Sequence, residues 1–542
     1  MVTENQRFDA LARQMFNTFT KRYPVFATYI GIHKYDHLMP KESKEEYIKE
    51  IKMLRGFLKK WSSINGKKLS PDRKIDRELA IHTLKLSLFH CEVIREWESN
   101  PDAAEIIGDA IFPLFVREFP SLENRVKSIA ARLEKCPKMI EQVKGRIKKP
   151  VKLWVGIAIE SCDNLPIFLQ EVLSFARTKK IDRKLLGKLQ GNISKTLFAV
   201  ENYKISLKEL LPAAREEFAI GKKKFEKLIK LRELGVDADE ILALGESYLK
   251  TENAKLKALA LQIKTGASVK DVKKMIESKH PSSFKSALEI YRKSIKTAKK
   301  FIAKKGILTL PKREKLVVIE TPAYLRHTHP FAAYFEPPKF EKSAFGIYIV
   351  TPGSSLKRHN FAAISNTSVH EAYPGHHLQL SCAATNPSLI RVLSSGTEFV
   401  EGWAHYCEEY MKDLGYDDTL ETRFVQTLDM IWRAVRIIID IKLSCGGMSF
   451  SQAVKFLVKH AGMPKEAAIA EVKRYTMTPG YQLSYLLGKH LFKKLREDVK
   501  RKMGPNFSDK FFNDTILYSG SMPIKYIRKV FEQKMKTQKM KN

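Results

Sequence analysis

The chain has 542 residues, with 96 Lys and Arg against 60 Asp and Glu and a formal net charge of +36. With 44% hydrophobic residues, including 30 Phe and 19 Tyr, it carries enough apolar surface to offset chain entropy, which excludes an intrinsically disordered protein. Its 26 Gly and 23 Pro exclude collagen-like and low-complexity classes.

From Glu4 to about Lys305 the sequence is patterned for helix. In RFDALARQMFNTFTKRY, Phe8, Leu11, Met15 and Phe19 recur at helical spacing with polar residues between them. The stretches beginning KIDRELAIHTL and IDRKLLGKLQG repeat the habit. Breaks are predicted at Asn100-Pro101, Cys136-Pro137, Lys149-Pro150 and from Lys279 to Ser283. No fixed-period repeat occurs, which argues against a solenoid. Lys-rich faces such as Lys222 to Lys224 read as solvated helix surface.

The composition changes near Leu308. KLVVIET (315–321) and AFGIYIVTPG (344–353) are short β-rich runs bounded by Pro and Gly. Between them lies an aromatic, proline-rich loop, Pro322 to Pro338, whose Arg326, His327 and His329 are candidates for facing a cleft. Helices resume near Ser365 and continue to the end. The expected fold class is mainly α, a large multi-helical body with a small sheet ahead of an active-site helix. Residues 1–310 form a helical N-terminal region and residues 311–542 a catalytic region.

The basic excess raises nucleic acid or an anionic membrane surface as a partner. However, no helix-turn-helix, zinc-finger or RNA-recognition pattern accompanies it, so no specific nucleic acid is expected. No apolar run approaches the ~20 residues of a membrane span, and Met1 to Phe16 lacks the pattern of a secretory signal. Six cysteines without a C-x-x-C pair read as reduced, buried thiols. A cytoplasmic protein with no membrane partner is expected. One stretch departs from the basic trend: residues 351–430 carry 5 basic and 10 acidic groups, a net of −5. Metal binding is one reason for such an exception.

That stretch contains ISNTSVHEAYPGHHLQL (364–380), which sets His370, Glu371, His376 and His377 within eight residues. A hydrolytic zinc site needs neutral imidazole ligands, a carboxylate near the activated water and an open coordination position. The familiar local form is H-E-x-x-H on one helix. Here five residues separate His370 from His376, which on an unbroken helix puts them about 120° apart. Pro374 and Gly375 argue for a kink or a fresh helical start. His376 is the preferred second ligand, with His377 as the alternate.

Downstream, TEFVEGWAHYCEEYMKDLGY (397–416) places Glu398, Glu401, His405 and Glu408 on one helical face. Glu401 is the expected third ligand, since Gly402 beside it would let the helix approach a neighbour closely. His405 and Glu408 are candidates for orienting the ligands through hydrogen bonds. In WRAVRIIID (432–440), Arg433 and Arg436 could clamp a substrate carboxylate or pair with Asp440.

H-E-A-Y-P-G-H-H followed by E-G-W-A-x-Y-x-E resembles the bacterial and archaeal family catalogued as a domain of unknown function, number eight-eight-five. That family is grouped with zinc metallopeptidases using two His and one Glu, and the resemblance maps the third ligand onto Glu401. It covers roughly residues 315–500 and extends more loosely toward the N-terminus. The G-Y-x-x-x-Y of Gly480 to Tyr485 is similar to the tyrosine segment of helical oligopeptidases of the thimet type. This implies that Tyr481 and Tyr485 stabilise an oxyanion; His377, where His376 is the ligand, is the spare histidine and a further candidate donor. AFGIYIV resembles the edge strand by which those peptidases hold the substrate backbone.

The expected function is therefore a zinc peptidase acting on short peptides. One zinc ion per chain would sit on His370, His376 and Glu401, with Glu371 as general base. The alternatives are a metal-dependent hydrolase of non-peptide amides, and a basic nucleic-acid-binding or structural protein with a dead site.

Overall fold

A computed structural model describes residues 2–322, 326, 331–342 and 344–539; His327 and His329 lie outside them. The chain is mainly helical and divides into two compact units. The first comprises residues 1–68, 83–218 and 338–343, and the second residues 69–82, 219–337 and 344–542. The composition change near Leu308 thus lies inside the second unit.

The first unit is built of amphipathic helices. Its opening helix, Glu4–Arg22, buries Phe8, Leu11, Met15 and Phe19 and begins with a Thr3/Gln6 capping box. Pro at an early position starts the helix Cys136–Arg146, and Asp102 caps Ala103–Val116. Lys152–Arg177 follows directly on Pro150-Val151. In the second unit, Ser283 caps α3 (below). Each of the four sequence breaks therefore coincides with a helix start, where a Pro lacking its N–H costs no hydrogen bond.

The second unit contains α1 (Lys222–Arg232), α2 (Ala238–Ile263) and α3 (Phe284–Lys305). A three-stranded sheet follows: β1 (Leu316–Glu320), β2 (Ala332–Phe335) and β3 (Gly346–Val350). Then come α4 (Phe361–Glu371), α5 (His376–Ala384), α6 (Thr397–Asp413), α7 (Leu420–Cys445), α8 (Lys465–Met477) and α9 (Ser484–Met503). Helix α7 is buried around most of its circumference, as expected of a central helix. Its Met430, Ala434, Ile437 and Ile441 pack with Phe225, Ile229, Ile241, Leu483, Leu486 and Leu487 into one apolar core. Lys222 to Lys224 lie exposed on the opposite side of α1.

Strand β3 is central, parallel to β1 and antiparallel to β2. This corrects the expectation for AFGIYIV: Ile347 is paired with both Val317 and Phe335, so that strand has no open edge for a peptide. The sequence concealed β2 because its four residues lie inside a proline-rich stretch without a two-residue alternation.

Helices α6 and α9 cross at glycines. A Cβ at Gly402 would lie 2.5 Å from the Gly488 backbone, and one at Gly488 would lie 2.2 Å from the Glu398 carbonyl oxygen. The crossing fixes α6, and with it Glu401. Gly402→Ala is therefore expected to lower the urea midpoint, costing about 1–3 kcal/mol through overpacking. Gly56→Ala is the control: this helical position has open space around the Cβ and should gain up to about 1 kcal/mol. Equal effects of the two substitutions would contradict the tight crossing.

Candidate metal centre

Helix α4 starts at Asn360, whose side chain accepts from the Ala363 N–H at 2.9 Å, and ends just past His370. The chain then doubles back. The Gly375 N–H donates to the Val369 carbonyl at 3.0 Å, and a Cβ at Gly375 would fall 1.7 Å from the His370 carbonyl oxygen. Only glycine fits there. The Trp403 indole N–H holds the turn from α6, donating to the Pro374 carbonyl at 2.8 Å. Helix α5 restarts at His376, and the turn brings the His370 and His376 rings to 4.8 Å at an interplanar angle of 89°.

Glu401 of α6 meets them. Its Oε2 lies 3.4 Å from His376 Nε2 and 3.8 Å from His370 Nε2, and the three ligand atoms fall within 4.8 Å of one another. Ligands bonded at ~2.0–2.1 Å to one tetrahedral ion stand about 3.4 Å apart. Two imidazoles and a carboxylate on that spacing suit zinc. No group other than these three reaches that spacing among the described residues.

The residues behind them set their protonation. His370 Nδ1–H donates to Glu408 Oε1 at 2.7 Å, which leaves the Nε2 lone pair facing Glu401. Burial opposes the Glu408 charge, but His405, Arg433 and the His370 hydrogen bond outweigh it, and its pKa falls well below the carboxylate range. Burial likewise opposes Glu401, whose pKa is nevertheless held down to about 2 by His376, His370 and Tyr481. For His376, burial would lower the pKa, yet Glu401 raises it. Glu371 is half-buried at the end of α4, and its charge acts on His376.

Tyr481 lies on the loop between α8 and α9, and Tyr485 in the first turn of α9. The Tyr481 hydroxyl donates to Glu401 Oε1 at 3.1 Å, and its ring meets Tyr485 edge-on at 6.2 Å. Asp440 holds this loop, accepting from the Gly480 and Gln482 N–H groups at 2.8 Å each.

His377 goes elsewhere. Its Nε2–H donates to Glu314 at 2.7 Å and its Nδ1 accepts from the Tyr334 hydroxyl of β2 at 2.9 Å, so both nitrogens are occupied outside the cluster. Of the two readings open to Arg433 and Arg436, pairing with Asp440 does not hold: their acidic partners are Asp429, Glu408 and Glu471. Arg433 lies 3.1 Å from Asp429 and 3.6 Å from Glu408; Arg436 donates to Glu471 at 3.0 Å and to the Tyr475 hydroxyl at 2.8 Å. Glu398 forms an ion pair with Arg232, and Arg326 lies 2.5 Å from Glu320. Sequence reasoning missed Glu314 and Glu471, each far along the chain from His377 and Arg436 respectively, and Asp429, which the i,i+4 spacing to Arg433 on α7 could have revealed.

The pattern of the family described as "Bacterial protein of unknown function (DUF885)" matches residues 24–530. The chain belongs to the DUF885 family. No curated protein matches it. Among solved structures, one described as a "putative lipoprotein of unknown function" from Shewanella oneidensis superposes with a TM-score of 0.80 at 22% identity, covering 96% of this chain and 99% of the other. A second, a "putative lipoprotein" from Colwellia psychrerythraea, gives 0.86 at 18% identity, covering 99% and 100%. The DUF885 chain thus shares its whole fold with both.

Glu408→Gln should weaken zinc binding about tenfold or more, by analogy with other residues that orient a ligand, as read by competition with a chromophoric chelator; unchanged affinity would remove Glu408 from that role. Burial opposes the Glu471 charge, but Arg436, Arg474 and Tyr475 lower its pKa from 4.5 to about 2. That stabilisation is complete above the unfolded value of ~4.3 and is lost as pH falls toward 2. Glu471→Gln should therefore cost about 3 kcal/mol near neutrality, and its urea midpoint should converge on the wild-type value between about pH 5 and pH 2. A pH-independent gap would contradict the shift.

Proposed function

We propose that this protein is a metal-dependent hydrolase, in its sharpest form a zinc peptidase of short peptides. The observation that carries this reading is the convergence of His370, His376 and Glu401, with Glu408 fixing the His370 tautomer. Zinc, when bound, supplies Lewis acidity for water and for a carbonyl oxygen.

The chain's own residues supply the rest. Glu371, beside the ligands, accepts the proton of the attacking water and returns it to the leaving amine. The Tyr481 hydroxyl, already directed at Glu401, turns to donate to the developing oxyanion, with Tyr485 behind it. A peptide is favoured over other amides by the sheet. Strand β2 forms its edge and is joined through Tyr334 to His377, the neighbour of His376, and an edge strand can hold an extended backbone. All six cysteines are free thiols, the state a reducing cytoplasm maintains, and that compartment is part of the proposal.

The test is Glu371→Gln against a peptide library and a panel of non-peptide amides. Turnover should fall by about 10²–10⁴-fold while zinc content stays unchanged. An active variant would remove Glu371 as base. Cleavage confined to the amide panel would replace the peptide reading.

A further inference from the structure

A cavity of about 230 Å³ opens beside α7, walled by Phe331, Phe424 and Trp432. It is smaller than the ~300 Å³ that a drug-sized ligand needs, and suits a single side chain or terminal group. It connects to the metal centre in two ways. Asp429 on its wall lies 3.1 Å from Arg433, which reaches Glu408 and so His370. In addition, the Arg436 guanidinium lies 4.0 Å from the Trp432 ring and 4.6 Å from the Tyr485 ring, and Tyr485 meets Tyr481.

The four charged residues of the cavity wall sum to zero but do not all pair with one another. Lys273 and Glu277 face each other at 3.8 Å, and Asp429 is taken by Arg433. Arg358 remains: among the described residues no acid pairs with it. Its guanidinium lies 4.6 Å from the centre of the Phe331 ring and rests against Gly353, where a Cβ would fall 2.3 Å from it. Gly353, itself in the left-handed region at φ +70°, leaves room for this cation. Arg433 and Arg436, by contrast, are already neutralised by buried acids.

We propose that this cavity binds a substrate carboxylate and that Arg358 is its specificity-determining residue, with the aromatic walls taking the apolar body that bears the acid. A guanidinium donates two parallel hydrogen bonds to a carboxylate, and an aromatic ring beneath it restrains its plane. The inference deepens the hydrolase reading and rests on it for the role of the ligand as substrate; the binding itself needs neither metal nor turnover.

The test is therefore titration calorimetry on full-length protein stripped of metal by chelation. The probes are N-acetylphenylalanine, its amide, and the α-amide of N-acetylglutamate. N-acetylphenylalanine should bind at least tenfold tighter than its amide. Arg358→Met, folded by circular dichroism, should abolish the difference, and Arg358→Lys should retain part of it. If instead the glutamate α-amide alone shows Arg358-dependent tightening, the carboxylate recognised is that of a side chain rather than of a chain terminus. Equal affinities for acids and amide in the wild type, or a preference surviving in Arg358→Met, would overturn the proposal. Either result leaves the test on Glu371 untouched, so the two readings fail separately.

Discussion

The contact between Gly375 and the carbonyl of His370 is the constraint on which the centre depends. A helix continuing past Glu371 would carry His376 about 120° away from His370. The chain instead folds back so tightly that no side chain fits at residue 375, and α5 restarts with His376 facing His370. A second close approach, Gly402 against Gly488, seats α6 so that Glu401 meets both rings. Trp403 couples the two by reaching from α6 to the carbonyl of Pro374. Backbone packing, more than any property of the ligands, places three metal-capable atoms together.

Burying such groups is expensive unless each finds a partner. Glu401, Glu408 and Glu471 are all ionised against the tendency of burial, because imidazole, guanidinium or phenol groups surround them. This explains why Arg433 and Arg436 are drawn inward to acids. The net charge of +36 belongs to a different layer. Lysines such as Lys222 to Lys224 stand exposed, while the stretch that builds the site carries a net negative charge.

Much of this organisation is legible in the sequence, for physical reasons that can be named. Proline and capping residues mark helix starts because they act through local backbone chemistry, and the two apolar β-rich runs became β1 and β3. Likewise Gly402 beside Glu401 reads as a close crossing, and the structure has one. The choice between His376 and His377 is not legible, since it turns on the Gly375 contact and on Glu314 and Tyr334 claiming both nitrogens of His377. Strand β2 was hidden because its pairing with β3 is a tertiary event, and recognising β3 as central depends on finding β2. Asp440, one of two partners open to Arg433 and Arg436 on the sequence alone, instead holds the loop carrying Tyr481.

The central claim is that His370, His376 and Glu401 hold one metal ion. Its most direct test is the metal content of the natively purified protein by inductively coupled plasma mass spectrometry, beside Glu401→Ala. The account predicts about one tightly held zinc per chain, lost in the variant. A protein without metal even after zinc is restored, or a variant that retains it fully, would contradict the centre described here.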